Sequence, residues 1–279
     1  MVLYKYFPPE RRALLDELFV RFTPPGLFND PFDSFPAFQG FDETLVKAKV
    51  SKVGLDIAFN IALEASSESE GRLKLGLIQP ANEILQKQYL SNPAGLNDRF
   101  TRLHRNRVNS EIGVLCLCDS AKSVVMWSHY TKEHKGFVVG FESQDGFFSH
   151  RPNDPVDIGV LNRVNYSKER PLIDVRTIEE GANLPDILFT KNEEWSYEHE
   201  WRIIRFLKDA DEVRDGNVHL FRVPTTAIKE VILGSNADSS LKDSLLKPLK
   251  QNPSLSHVKL FSSDLSRKRY EMEVLPCAL

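Results

Sequence analysis

Two uninterrupted apolar runs rich in β-formers, IGVLCLCD (Ile112 to Asp119) and GFVVGFES (Gly136 to Ser143), constrain this chain more than any other feature. Each has the length of one buried strand, and SAKSVVMWSHYTKEHK bridges them. Further strand-like runs follow at VLNRVNYS (160–167), HEWRIIRFL (199–207), HLFRVP (219–224) and IKEVILG (228–234), and VKLFSSD with YEMEVLP makes a closing pair. SSLKDSLLKPLKQN (239–252) reads as a helix. Many strands and few helices, at hairpin-length spacing, predict an α+β fold with a largely antiparallel sheet core.

Upstream, VLYKYF alternates as a strand does, and ERRALLDELFVRF places Ala13, Leu14, Leu18 and Val20 to suit a short amphipathic helix. The chain therefore opens with a strand-helix unit. TPPGLFNDPFDSFPAFQGFDE is too punctuated for regular structure and too aromatic for a solvated linker, so it is expected to be an ordered loop pinned to the core. Glu43 to Arg107 is helix-permissive, broken at SSESEG and SNPAGLND, and is expected to form two or three helices as an insert or cap at about 43–110. The whole, 1–279, is expected to be one domain.

Composition narrows the classes. A 41% hydrophobic content is ample for a core, and a net charge of −3 announces neither a nucleic-acid nor a membrane partner in bulk. Cys116, Cys118 and Cys277 are odd in number and form no CxxC, so they read as buried thiols of a reducing compartment. Without a long apolar run or a signal-peptide h-region near MVLYKYFPPERR, a cytoplasmic protein with no membrane partner is expected. Neither GxxxxGK[ST], nor a GxGxxG after a strand, nor GxSxG, nor PCxxC occurs. His129 and His134 are five apart rather than four, and no metal site is expected.

Three clusters carry polar chemistry. KNEEWSYEHEWRII (Lys191 to Ile204), if extended, sets Glu198, Glu200 and Arg202 on one strand face and Tyr197, His199 and Trp201 on the other. That face is either solvated or the wall of a polar pocket, and the crowding of aromatics favours the pocket. MWSHYTKEHKGF supplies Trp127, Ser128, His129 and Tyr130 in a row, able to stack, donate or titrate, or else to anchor a helix on the sheet. FNDPFD offers Asn29 and Asp30 before a proline, a local turn flanked by Phe28 and Phe32, and a buried aspartate there must find donors. RFTRLHRNR, if helical, presents Arg102, Arg105 and Arg107 to phosphates, with a solvated face paired to nearby acids as the competing reading.

In their order, LYKY, RFTPPGLFNDPFD, VLCLCD, MWSHYTKEHKGFVVGFE and EWSYEHEWRII resemble the bacterial domain of unknown function 2971 family, from residue 3 to about 206 and on toward the C-terminus. That family name implies no activity. A more distant resemblance is to mono-ADP-ribosyltransferase folds, which open on a strand with an LYH-like triplet and later present a glutamate on a core strand. It implies an effector or toxin that transfers ADP-ribose from NAD to a nucleic-acid or protein acceptor, in phage defence or a toxin–antitoxin system with a neutralising protein partner. Lys5 of LYK then stands at the usual His or Arg position, and Glu200 or Glu198 supplies the acid. Tyr6, Trp127 and Tyr130 would stack on nicotinamide or adenine, Asn29 and Asp30 would cap a ribose, and a second glutamate would act as base or hold Arg202. The middle motif position falls to Phe22 and Thr23 or to Ser128 and Tyr130. Two other classes stay open. One is a hydrolase or nuclease using Asp30, His129, Glu198 and Glu200 with a divalent cation, and the other is a non-catalytic binding module.

Overall fold

The computed structural model describes residues 1–39, 91–152, 154, 158–174 and 184–277, with isolated positions at 44, 47, 48, 83, 86 and 87. The chain divides into two compact units. One comprises Met1–Ser34, Arg107–Arg170 and Leu184–Leu279, and the other Phe35–Asn106 and Pro171–Asn183. Most of the helical insert expected at about 43–110 lies outside the described residues.

Along the chain come β1 (Val2–Phe7), the single turn α1 (Leu14–Glu17), β2 (Phe19–Phe22), β3 (Ala37–Gln39), α2 (Pro93–Glu111), β4 (Ile112–Cys118), α3 (Val124–Tyr130) and β5 (Phe137–Glu142). There follow β6 (Asn162–Arg163), β7 (Asn165–Ser167), β8 (Leu172–Asp174), α4 (Leu184–Leu188), β9 (Thr190–Asn192) and β10 (Glu200–Phe206). The chain ends with β11 (Glu212–Arg214), β12 (Val218–Arg222), β13 (Ile228–Leu233), α5 (Ser239–Gln251), β14 (Lys259–Leu265) and β15 (Met272–Pro276). In the second unit β3 pairs with β8 in parallel.

The first unit is organised by an eight-stranded sheet of order β15-β14-β13-β5-β1-β4-β10-β6. Its pairs are antiparallel except β13 with β14, so the α+β fold with a largely antiparallel sheet is what the chain adopts. Period-two alternation fills both faces. Leu3, Leu115, Leu117, Val139, Phe141 and Ile203 join one core with Phe22, Phe221 and the apolar stripe of α5 (Leu241, Leu245, Leu249). Tyr6, Cys118, Val138 and Ile232 meet α3 on the other through Met126 and Trp127.

Several local expectations are corrected. The N-terminal helix stops at Glu17, because Leu18 is left-handed (φ 57°), and Val20 and Phe22 then alternate inward as a strand. The run 160–167 breaks into β6 and β7, and the run 199–207 starts one residue later, at Glu200. Glu198 belongs to a 3₁₀ turn, Glu193–Glu198, closed by left-handed His199 (φ 46°). Of the three thiols, Cys118 is buried while Cys116 and Cys277 are half-buried. Among the described residues no helix is long and apolar enough to cross a membrane.

The passage from α3 into β5 is unusually tight. Lys132, Glu133 and His134 are all left-handed (φ 50°, 57° and 67°), a costly run for residues with a Cβ. Asn236 holds it, donating its side-chain amide to Glu133 O at 3.1 Å and its N–H to His134 O at 3.0 Å. Gly136 then passes so close to β1 that a Cβ would lie 2.0 Å from Phe7 O. Gly136→Ala is expected to destabilise the protein by about 1–3 kcal/mol through that backbone clash. An unchanged urea midpoint would show that the strand end can yield.

Candidate functional site

β1 and β4 are in register at the pair Tyr4–Cys118, and beside it Lys5 Nζ donates to Cys116 O at 3.1 Å. A cavity of about 530 Å³ opens at this place, within the range of small-molecule sites. Tyr4, Tyr6, Phe28 and Tyr130 give it aromatic walls. Its charged lining is Lys5, Asp33, Lys191, Glu198 and Glu200.

The acids are assembled by short elements. β9 pairs with β7 in parallel, setting Lys191 beside Tyr166, whose hydroxyl accepts the Glu200 N–H at 2.8 Å. Asn192 Oδ1 then caps the 3₁₀ turn by accepting from Glu194 N, and the turn ends at Glu198. Lys191 Nζ donates to Glu198 Oε2 at 2.5 Å and to Glu200 Oε2 at 3.0 Å, and lies 3.7 Å from Asp33 Oδ2. Behind it Arg202, fully buried, donates twice to Asp33 (2.8 and 2.6 Å), twice to Glu200 (2.7 and 3.0 Å) and to Leu188 O (2.8 Å). Three carboxylates and two cations thus form one buried network.

The two glutamates are electrically unlike. Burial would raise the Glu200 carboxyl, but Arg202 and Lys191 overcome it and hold the group below the usual carboxylate range. Burial raises the Glu198 carboxyl above that range despite Lys191, and the Glu200 charge adds to the rise. Glu198 Oε1 accepts from Tyr130 OH at 2.5 Å, and Asn29 Nδ2 approaches that hydroxyl at 3.4 Å. Both Asp33 oxygens and both Glu200 oxygens are taken by Arg202, so Glu198 is the carboxylate with more accepting capacity left for a ligand. Burial also keeps the Cys116 thiol protonated, which makes it a poor nucleophile.

Of the residues picked from sequence, Lys5, Tyr6, Asn29, His129, Tyr130, Glu198 and Glu200 line the cavity. His129 is exposed and meets Tyr197 OH at 3.4 Å through Nδ1. Trp127, Ser128, Asp30 and Arg202 are not brought to its wall. Trp127 is fully buried, donating Nε1–H to Ala121 O and meeting Tyr6 edge-on. Ser128 donates to Val124 O and lies 3.2 Å from His134 Nε2. Asp30 accepts the Phe32 N–H inside its own turn, and Arg202 works from behind the carboxylates. Lys191 and Asp33 were not picked, although Lys191 heads the acidic stretch and Asp33 ends FNDPFD. A buried acid cluster needs a cation, and that requirement was the available signal.

Arg102, Arg105 and Arg107 of α2 have different surroundings. Arg102 is exposed, Arg105 lies 4.4 Å over the Phe35 ring, and Arg107 pairs with Glu111 at 3.1 Å. Among the described residues no group of three or more His, Cys, Asp or Glu side chains is arranged to hold a metal ion.

Neither the curated proteins nor the solved structures contain a match to this chain. LYKY and RFTPPGLFNDPFD lie outside the stretch that a family model recognises. That stretch, residues 126–203, contains α3 from Met126 onward and the whole run from Lys191 to Arg202, and over it the chain is similar to the family described as protein of unknown function (DUF2971).

Proposed function

We propose that the cavity binds NAD and that the protein breaks the nicotinamide–ribose bond, passing ADP-ribose to a nucleic-acid or protein acceptor. The observation that carries this reading is Glu198, a cavity carboxylate braced by Lys191 and Tyr130 and surrounded by aromatic walls. As the C–N bond breaks, its electron pair leaves with nicotinamide and positive charge builds on the ribose. A fixed carboxylate stabilises that charge. The acceptor's O–H or N–H then attacks the anomeric carbon and yields its proton to Glu198, whose raised proton affinity suits a general base. Tyr6 and Tyr130 would stack on the planar rings, and Asn29 would donate to a ribose hydroxyl. An effector in phage defence or a toxin–antitoxin system, silenced by a protein partner, is the setting that this chemistry fits.

A second reading, a non-catalytic ligand-binding module, is favoured by the saturation of Asp33 and Glu200 by Arg202. Calorimetric titration with NAD, run beside an assay for free nicotinamide with and without EDTA, separates the possibilities. Saturable binding with EDTA-resistant nicotinamide release is expected. Binding without release would favour the module, release lost to EDTA the metal-dependent hydrolase, and no binding at millimolar NAD would end the NAD reading.

A further inference from the structure

The cavity contains two lysines in opposite circumstances. Lys191 is surrounded by Glu198, Glu200 and Asp33, and these carboxylates outweigh burial and keep it charged. Lys5 makes no ion pair among the described residues. Among the described residues its Nζ has one hydrogen bond, to the neutral carbonyl of Cys116, and it sits 5.9 Å from the Phe7 ring centroid. Glu200, the acid that acts on it across the cavity, is already spent on Arg202 and Lys191. A desolvated amine without a counter-ion loses its proton more readily than a surface lysine, and burial lowers Lys5 below the ordinary lysine range. In the same cavity stands Glu198, an acid that keeps its proton longer than an ordinary glutamate. An amine that gives up its proton more readily than a surface lysine and a carboxyl that holds one longer than an ordinary glutamate, lining one cavity, are the two parts that carbonyl condensation requires.

We infer that Lys5 is an amine nucleophile that condenses with the carbonyl carbon of an aldehyde or ketone ligand, forming an imine with Glu198 as the proton donor. The nitrogen lone pair forms the C–N bond while the carbonyl π pair moves to oxygen. The oxygen takes the Glu198 proton, and the nitrogen returns one to Glu198, leaving a neutral carbinolamine. The hydroxyl takes that proton in turn and departs as water, and the nitrogen lone pair closes the C=N bond. An iminium cation then faces the Glu198 carboxylate. Amine, carbonyl and acid have become iminium, carboxylate and one water, with no oxidant or reductant consumed. Ring-opened sugars belong to this ligand class, including the ADP-ribose that NAD cleavage would release, but the inference rests on the cavity and not on NAD.

Trapping the imine tests it. The full chain is incubated at neutral pH with ribose 5-phosphate and sodium cyanoborohydride, and the reduced adduct is located by intact mass and peptide mapping. One adduct per chain is expected, on Lys5, formed roughly tenfold or more faster than at exposed lysines such as Lys122 and Lys250, since each unit of lowered pKa gives ten times more free amine. Lys5→Arg keeps an N–H donor for Cys116 O and should lose this adduct, and Glu198→Gln should slow it. Labelling spread over exposed lysines without excess at Lys5, or an adduct that persists in Lys5→Arg, would overturn the inference. If Lys5→Arg fails to fold, the wild-type site preference alone decides. Nicotinamide release is read separately. Release without trapping removes the inference and leaves the NAD reading, and trapping without release does the reverse.

Discussion

Arg202→Ala is expected to lower the unfolding free energy by about 3–5 kcal/mol, seen as an earlier midpoint in urea. Arg202 is wholly buried, and its guanidinium gives two donors each to Asp33 and Glu200 and one to Leu188 O. Removing it leaves two buried carboxylates sharing Lys191, at 3.0 Å from Glu200 and 3.7 Å from Asp33. Uncompensated buried charge costs far more than the pair contributes, because the desolvation already incurred is no longer offset. Arg202→Lys should recover a minor part, since a point ammonium cannot grip two carboxylates bidentately. Acid should attack the same network. Glu200 has a depressed carboxyl, so its stabilisation is fully present above the ordinary glutamate range, roughly pH 4.3, and is lost as pH falls through the lower folded-state value. In Arg202→Ala that support is reduced, and acid unfolding should begin at higher pH. A midpoint unchanged from wild type would mean that water reaches the cluster and screens it.

What could be read beforehand divides along physical lines. Strands β4, β5, β13, β14 and β15 were legible because continuous apolar or alternating β-rich runs have few other ways to bury themselves. The break at His199 was not legible. A single left-handed residue decides whether Glu198 shares a strand with Glu200, and histidine, though enriched among left-handed residues, adopts that conformation in only a minority of its occurrences. Tyr130, Glu198 and Glu200 were visible within stretches dense in polar and aromatic types, since such stretches seldom face solvent together, whereas Tyr6 entered only through the resemblance. Which side chains would meet was not, because Asp33 and Arg202 are 169 positions apart and their pairing is set by the closed fold. Trp127 misled for a related reason. An indole is as suited to anchoring α3 against Tyr6 as to stacking on a ligand, and only packing separates the two uses.

Glu198→Gln and Glu200→Gln should differ in their effect on stability, although the two residues are only two positions apart. For Glu198, whose folded-state carboxyl is raised, the folded protein holds its proton more tightly than the unfolded chain does. Stability contributed by that group is present at low pH and declines as pH rises through and above the ordinary glutamate range, so at neutral pH the ionised side chain opposes folding. The neutral amide removes the opposition and can still accept from Tyr130, so Glu198→Gln is expected to unfold no earlier than wild type at neutral pH. Its nicotinamide release should fall by about 10²–10³-fold, the usual loss when one group stabilising a transition-state charge is removed. Glu200→Gln takes a charge away from Arg202 and Lys191 instead, and should unfold earlier because those cations are left under-compensated in the core. A cavity that keeps a carboxyl where folding alone would prefer a neutral group holds strain that packing does not require, as catalytic sites do. Should Glu198→Gln lose stability and keep its turnover, Glu198 would be a structural member of the network, and the catalytic role would have to be sought among the other groups of the cavity wall.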